Sequence, residues 1–165
     1  AETGLEPGQL KLEVTESTVM EQSERSLRVL RELDALGLQL ATDDFGTGYS
    51  SLSYLARFPF DRLKIDRSFI DKMIIDDKSS AIVKTILMLG ENLGIDVVAE
   101  GIETPDQLRR LQLFGCRLGQ GYYFSKPVAG EMARKLIGKR PGRMLELGPP
   151  PLPAAADVVE LRDVQ

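Results

Sequence analysis

Strand-like and helix-like stretches alternate five times along this chain, and no other feature restricts its fold as much. Alternating or aliphatic runs at residues 10–14, 38–42, 61–66, 95–99 and, more weakly, 117–119 read as strands. Between them lie helical patterns at 23–36, 50–57, 68–73, 79–93 and 104–114, with a last one at 130–137. Leu27, Leu30, Leu33 and Leu36 recur at helical spacing before Gly37, and Pro105 occupies a first turn, where its missing N–H costs nothing. Strands joined through helices pair in parallel, so the pattern predicts an α/β fold. The strand starts are spaced by 28, 23, 34 and 22 residues. Eight such units require about 215 residues, the size of a (β/α)8 barrel. The expectation is a partial TIM-like barrel of about five parallel βα units that lacks the N-terminal strands. From about residue 140 the composition changes, and Pro141, Pro149, Pro150, Pro151 and Pro153 precede three alanines. Residues 1–140 are therefore expected to form the domain, and 141–165 a proline-rich tail.

Parity assigns strand faces. Glu13 shares a side with Lys11, Asp43 with Gln39 and Ala41, Lys64 with Arg62 and Asp66, and Glu100 with Val98. The aliphatic residues point the other way, toward the helices. Four consecutive strands thus bring a charged group to their C-terminal ends, the end that carries active sites in barrels and open α/β sheets. A lone Asp43-Asp44 pair ordinarily caps a turn, but a ring of Glu13, Asp43, Asp44, Glu100 and Glu103 around Lys64 carries more negative charge than one ammonium offsets. An all-oxygen ring suits Mg²⁺, Mn²⁺ or Ca²⁺, and metal in such a nest suits hydrolysis of a phosphate ester.

Composition narrows the chemistry further. The 165 residues contain no histidine, so a general base must be a carboxylate, lysine, tyrosine or metal-activated water. His/Cys zinc sites are excluded. A net charge of −4 gives no polyanion-binding surface and no expectation of DNA. Cys116, the single cysteine, cannot form an intrachain disulfide, which fits a reducing, cytoplasmic setting; no run reaches membrane-spanning length.

Five ordered motifs resemble a known family. Leu12-Glu13-Val14-Thr15-Glu16-Ser17, Asp43-Asp44-Phe45-Gly46-Thr47-Gly48-Tyr49-Ser50-Ser51-Leu52, Leu63-Lys64-Ile65-Asp66, Val98-Ala99-Glu100-Gly101-Ile102-Glu103 and Gln120-Gly121-Tyr122 are similar to those of the EAL domain, the bacterial cyclic di-GMP phosphodiesterase. The resemblance spans residues 5 to 138. It implies a TIM-like barrel that uses Mg²⁺ or Mn²⁺ to linearise cyclic di-GMP to pGpG. It further implies metal ligands at Glu13, Asp43 and Asp44, with Lys64 and Glu100 handling the attacking water and Glu100 as base. Glu16 matches the glutamate that steadies the 43–52 loop, which family members also use in dimerisation. Asp66, Glu103 and Gln120 match mouth-lining positions.

The Glu-Ala-Leu tripeptide that names the family, and its asparagine motif, occur nowhere in the chain. The expectation is the C-terminal five-eighths of an EAL domain, inactive or nearly so alone, in a parent that hydrolyses cyclic di-GMP and has sensory or cyclase neighbours upstream. The alternative is a degenerate, non-catalytic module that binds cyclic di-GMP or a protein partner. Open barrel edges and an exposed apolar interior would favour self-association through those edges or through the 43–52 loop. A phosphoacceptor receiver fits poorly, because Lys64 stands where its acceptor aspartate is needed. A dinucleotide-binding fold fits poorly because Gly46-Thr47-Gly48-Tyr49-Ser50-Ser51 lacks the third glycine.

Overall fold

A sheet of five parallel strands runs in chain order, β1 (Lys11–Thr15), β2 (Gln39–Phe45), β3 (Arg62–Ile65), β4 (Asp96–Ala99) and β5 (Leu118–Gly119). The computed structural model describes residues 4–21, 23–48, 55–137 and 159–160. Helices α1 (Glu16–Glu21), α2 (Ser23–Ala35), α3 (Arg67–Lys72), α4 (Asp77–Leu93), α5 (Pro105–Leu113) and α6 (Gly130–Ile137) fill the connections and the C-terminal side. The expected α/β order is therefore present. Most of the short helix expected over 50–57 lies outside the described residues. The alternation did not anticipate α1, which continues from β1 without a break.

Local chemistry sets the helix starts. Asp76 accepts from the Lys78 and Ser79 N–H groups at the head of α4, and Asp76 is held below the usual carboxylate range chiefly by Ser79. Thr104 and Gln107 form a reciprocal capping box at the head of α5, with Pro105 behind it.

The core lies between sheet and helices. Leu40, Leu63, Ile65 and Ala99 from the strands meet Leu27, Leu30, Ile70, Val83, Ile86 and Leu111 from the helices, all buried. The opposite face corrects one expectation, because it is not apolar. Register places Lys11 beside Gln39, Arg62 beside Asp96, and Lys64 beside Val98, so charged groups cover most of that face and Ala41 and Val98 form its small apolar middle. A barrel-type fold tolerates this because the helix-facing side already holds the long aliphatic residues. At the far edge Val159–Glu160 (β6) pairs antiparallel with β5, Leu118 against Glu160 and Gly119 against Val159. Among the described residues, nothing pairs with the outer edge of β1.

Candidate active site

The acid pair owes its geometry to a break in strand pairing. β2 and β3 are in register at Thr42 and Leu63, and the register has shifted by Phe45 and Ile65. Between them Asp44 adopts φ +53, a left-handed conformation that aspartate tolerates better than most residues. Regular alternation would send Asp44 toward the helices. The irregularity instead turns Phe45 into the core and leaves Asp44 with Asp43. Carboxylate oxygens of Asp43, Asp44 and Glu100 all lie within 4.8 Å of one another.

Lys64 is the hub. Its ammonium is 2.7 Å from Glu13 Oε2, 3.1 Å from Asp43 Oδ1 and 2.7 Å from Glu100 Oε1, and only 8% of its side chain is exposed. Burial works against its charge, but hydrogen bonds to Glu100, Glu13 and Asp43 prevail and hold its pKa above the usual lysine value. Glu100 is displaced upward, first by burial and further by Asp43 and Glu13, against the pull of Lys64. The two shifts are consistent, since one ammonium shared among three acids keeps its own proton yet cannot neutralise each acid. Asp44 is also raised, by burial, then by Asp43 and Asp66, whose carboxyl shares a hydrogen bond with it.

The remaining predicted residues divide. Gln120 donates from Nε2 to Glu100 Oε1 at 2.6 Å, so it joins the cluster. Glu16 stands apart from it and is buried, accepting the Gly46 N–H at 2.9 Å beneath the loop that follows the acid pair. Asp66 caps α3 by accepting from Ser68 N–H while it faces Asp44. Glu103 is turned away and pairs with Arg67 at 2.8 Å. Arg67, Glu103, Gln120, Tyr122 and Lys126 line a cavity of about 230 Å³ beside the cluster. Sequence reasoning missed Arg67 and Lys126, and the one available signal was the position of Arg67 directly after Asp66. Burial pushes the Cys116 thiol up to about 11, so it is not a nucleophile.

These donors are all carboxylate oxygens, a set that fits a hard divalent cation. A family model described as EAL domain matches residues 1–127. The chain belongs to the EAL domain family. The bifunctional diguanylate cyclase/cyclic di-GMP phosphodiesterase MucR of Pseudomonas aeruginosa is 48% identical over 127 residues, 77% of this chain and 18% of that protein. The solved PaMucR phosphodiesterase, in complex with c-di-GMP, superposes at a TM-score of 0.78 with 46% identity, covering 79% of this EAL chain and 53% of that one. Klebsiella pneumoniae BlrP1 in a manganese/cyclic di-GMP complex superposes at 0.72 with 44% identity, over 76% of this chain and 32% of that one. The chain spans 16–18% of the length of the curated relatives it matches. It is an EAL domain chain that covers part of a TIM-barrel-like domain. No described helix is long and apolar enough to cross a membrane.

Proposed function

We propose that this chain supplies the C-terminal half of the catalytic site of a phosphodiesterase that opens cyclic di-GMP to pGpG. The observation that carries the reading is Lys64, whose buried ammonium joins acids from three other strand ends, Glu13, Asp43 and Glu100. In this reading Glu13, Asp43 and Asp44 hold Mg²⁺ or Mn²⁺, which when bound supplies Lewis acidity at the phosphate. Glu100 accepts the proton of the attacking water, and its raised pKa suits a base. Lys64 stays protonated, orients that water and offsets charge on the phosphate. The water oxygen bonds to phosphorus, the bond from phosphorus to one ribose oxygen breaks, that oxygen takes up a proton from solvent, and a linear dinucleotide leaves. Glu16 steadies the loop after Asp44, while Asp66, Glu103 and Gln120 line the mouth. A cytoplasmic setting and self-association, through the β1 edge or the 43–52 loop, complete the proposal.

The Glu-Ala-Leu and asparagine ligands are absent from these 165 residues, so the chain alone should bind cyclic di-GMP and turn it over slowly. Incubation with cyclic di-GMP and Mn²⁺, with pGpG read by chromatography, tests this against the PaMucR phosphodiesterase. Turnover equal to that enzyme's would show that the absent ligands do not matter. Binding of cyclic di-GMP with no turnover, even after those strands are supplied, would instead favour a non-catalytic module.

A further inference from the structure

We propose that Arg67 is a positioning residue that clamps the Glu100–Glu103 turn and so fixes the Glu100 carboxylate against Lys64. The inference rests on the reading above only in giving Glu100 a part in the chemistry.

Arg67 opens α3, and its aliphatic stem lies on the backbone of Gly101. A Cβ at Gly101 would fall 2.4 Å from Arg67 Cγ and 2.8 Å from its Cδ, so the arginine stem occupies the space a side chain would need. Gly101 has φ +69, which independently favours glycine. The guanidinium is held at both sides, Nη2 to Glu103 Oε1 at 2.8 Å and Nε to Asp71 Oδ2 at 3.1 Å. One side chain therefore joins α3 to the turn at two points, its stem on Gly101 and its head on Glu103.

The opposite side of the turn is closed by backbone. Ile102 N–H donates to Gln120 O at 3.1 Å, and Tyr123 N–H donates to Ile102 O at 2.9 Å. A Cβ at Gly121 would lie 2.2 Å from Ile102 O, so the two segments are in close contact. Ile102 is fully buried. With the turn held between Arg67 and the Gln120-Gly121 backbone, Glu100 leaves it already aimed at Lys64, 2.7 Å away, and at Gln120 Nε2, 2.6 Å away. A purely surface ion pair would add little to either stability or geometry. The stem resting on a glycine that has no room for a side chain distinguishes Arg67 from such a pair.

The test uses Arg67→Ala, Arg67→Met, which keeps the stem but not the charge, and Arg67→Lys, which keeps stem and charge. Amide hydrogen exchange is read residue by residue, and Mn²⁺ affinity by electron paramagnetic resonance. In Arg67→Ala, exchange at the Ile102 and Glu103 amides should accelerate about tenfold while α4 stays protected. The Mn²⁺ Kd should rise up to about tenfold, because the Glu100 carboxylate that Arg67 positions lies within 4.8 Å of the Asp43 and Asp44 oxygens. Arg67→Met should fall between the two, and Arg67→Lys should recover most of both effects. Wild-type exchange at Ile102 and Glu103 in Arg67→Ala, or equal acceleration throughout the chain, overturns the clamp. If the wild-type chain shows no Mn²⁺ binding while the local exchange effect is present, the clamp on the turn stands and the metal-dependent reading above falls.

Discussion

Asp44 shows how a single residue can be unfavourable for folding and useful in a site. Its carboxyl is raised by burial and by neighbouring Asp43 and Asp66, and its backbone is left-handed. An acid whose folded pKa lies above its unfolded value contributes stability that is complete below the unfolded pKa and lost as pH rises through the folded one. Asp44→Asn should therefore raise the metal-free thermal midpoint at pH 7, match wild type near pH 3, and weaken Mn²⁺ binding, all readable by calorimetry with and without metal. Lys64 has the opposite character, because its removal leaves Glu13, Asp43 and Glu100 facing one another. Lys64→Met should cost about 2 kcal/mol at pH 7, less than a fully buried pair would because Glu13 is partly exposed. That loss should shrink as pH falls into the carboxylate range, which urea titrations at several pH values would show.

Among the elements, the strands were legible and the breaks in them were not. Alternation located all five parallel strands, because each must present aliphatic residues to the helices and so carries a period of two. The shift at Asp43 and Asp44 was invisible to that reasoning, since it exists only in the pairing of β2 with β3. The expected strand ended at residue 42, so parity assigned Asp44 no face, and only its place next to Asp43 grouped the two acids. Helix α1 was missed because Glu16–Glu21 is too short to show an apolar period. The two-residue β6 follows a proline-rich stretch with no strand signal of its own. Lys64 could be read as a lone cation among acids, whereas Arg67 acts through contact with Gly101, which no sequence spacing reveals. The packing of β5 against the turn after β4 also carries a prediction. Gly121→Ala should destabilise the chain by about 3 kcal/mol, since the new methyl group meets the Ile102 backbone and not a movable side chain. Equilibrium denaturation of the metal-free chain measures this.

At the scale of the whole molecule, one sheet has its two edges in different states. β6 covers the β5 edge, while the outer edge of β1 has no partner among the described residues. An unpaired parallel edge is a template for another strand. Sedimentation velocity should show association that grows with concentration and is reduced by Lys11→Pro, which removes a backbone donor from the outer edge, since Gln39 N–H donating to Leu10 O turns the even-numbered residues of β1 toward β2. The cluster draws its acids from β1, β2 and the turn after β4 and Lys64 from β3, and these 165 residues contain no Glu-Ala-Leu tripeptide. The central claim is that these acids form part of a divalent metal site, and a Mn²⁺ titration followed by electron paramagnetic resonance tests it most directly. The account predicts one weak site that Asp43→Asn abolishes and that weakens as pH falls through the raised values of Asp44 and Glu100. A tight two-metal site, or binding unchanged by Asp43→Asn, would contradict it.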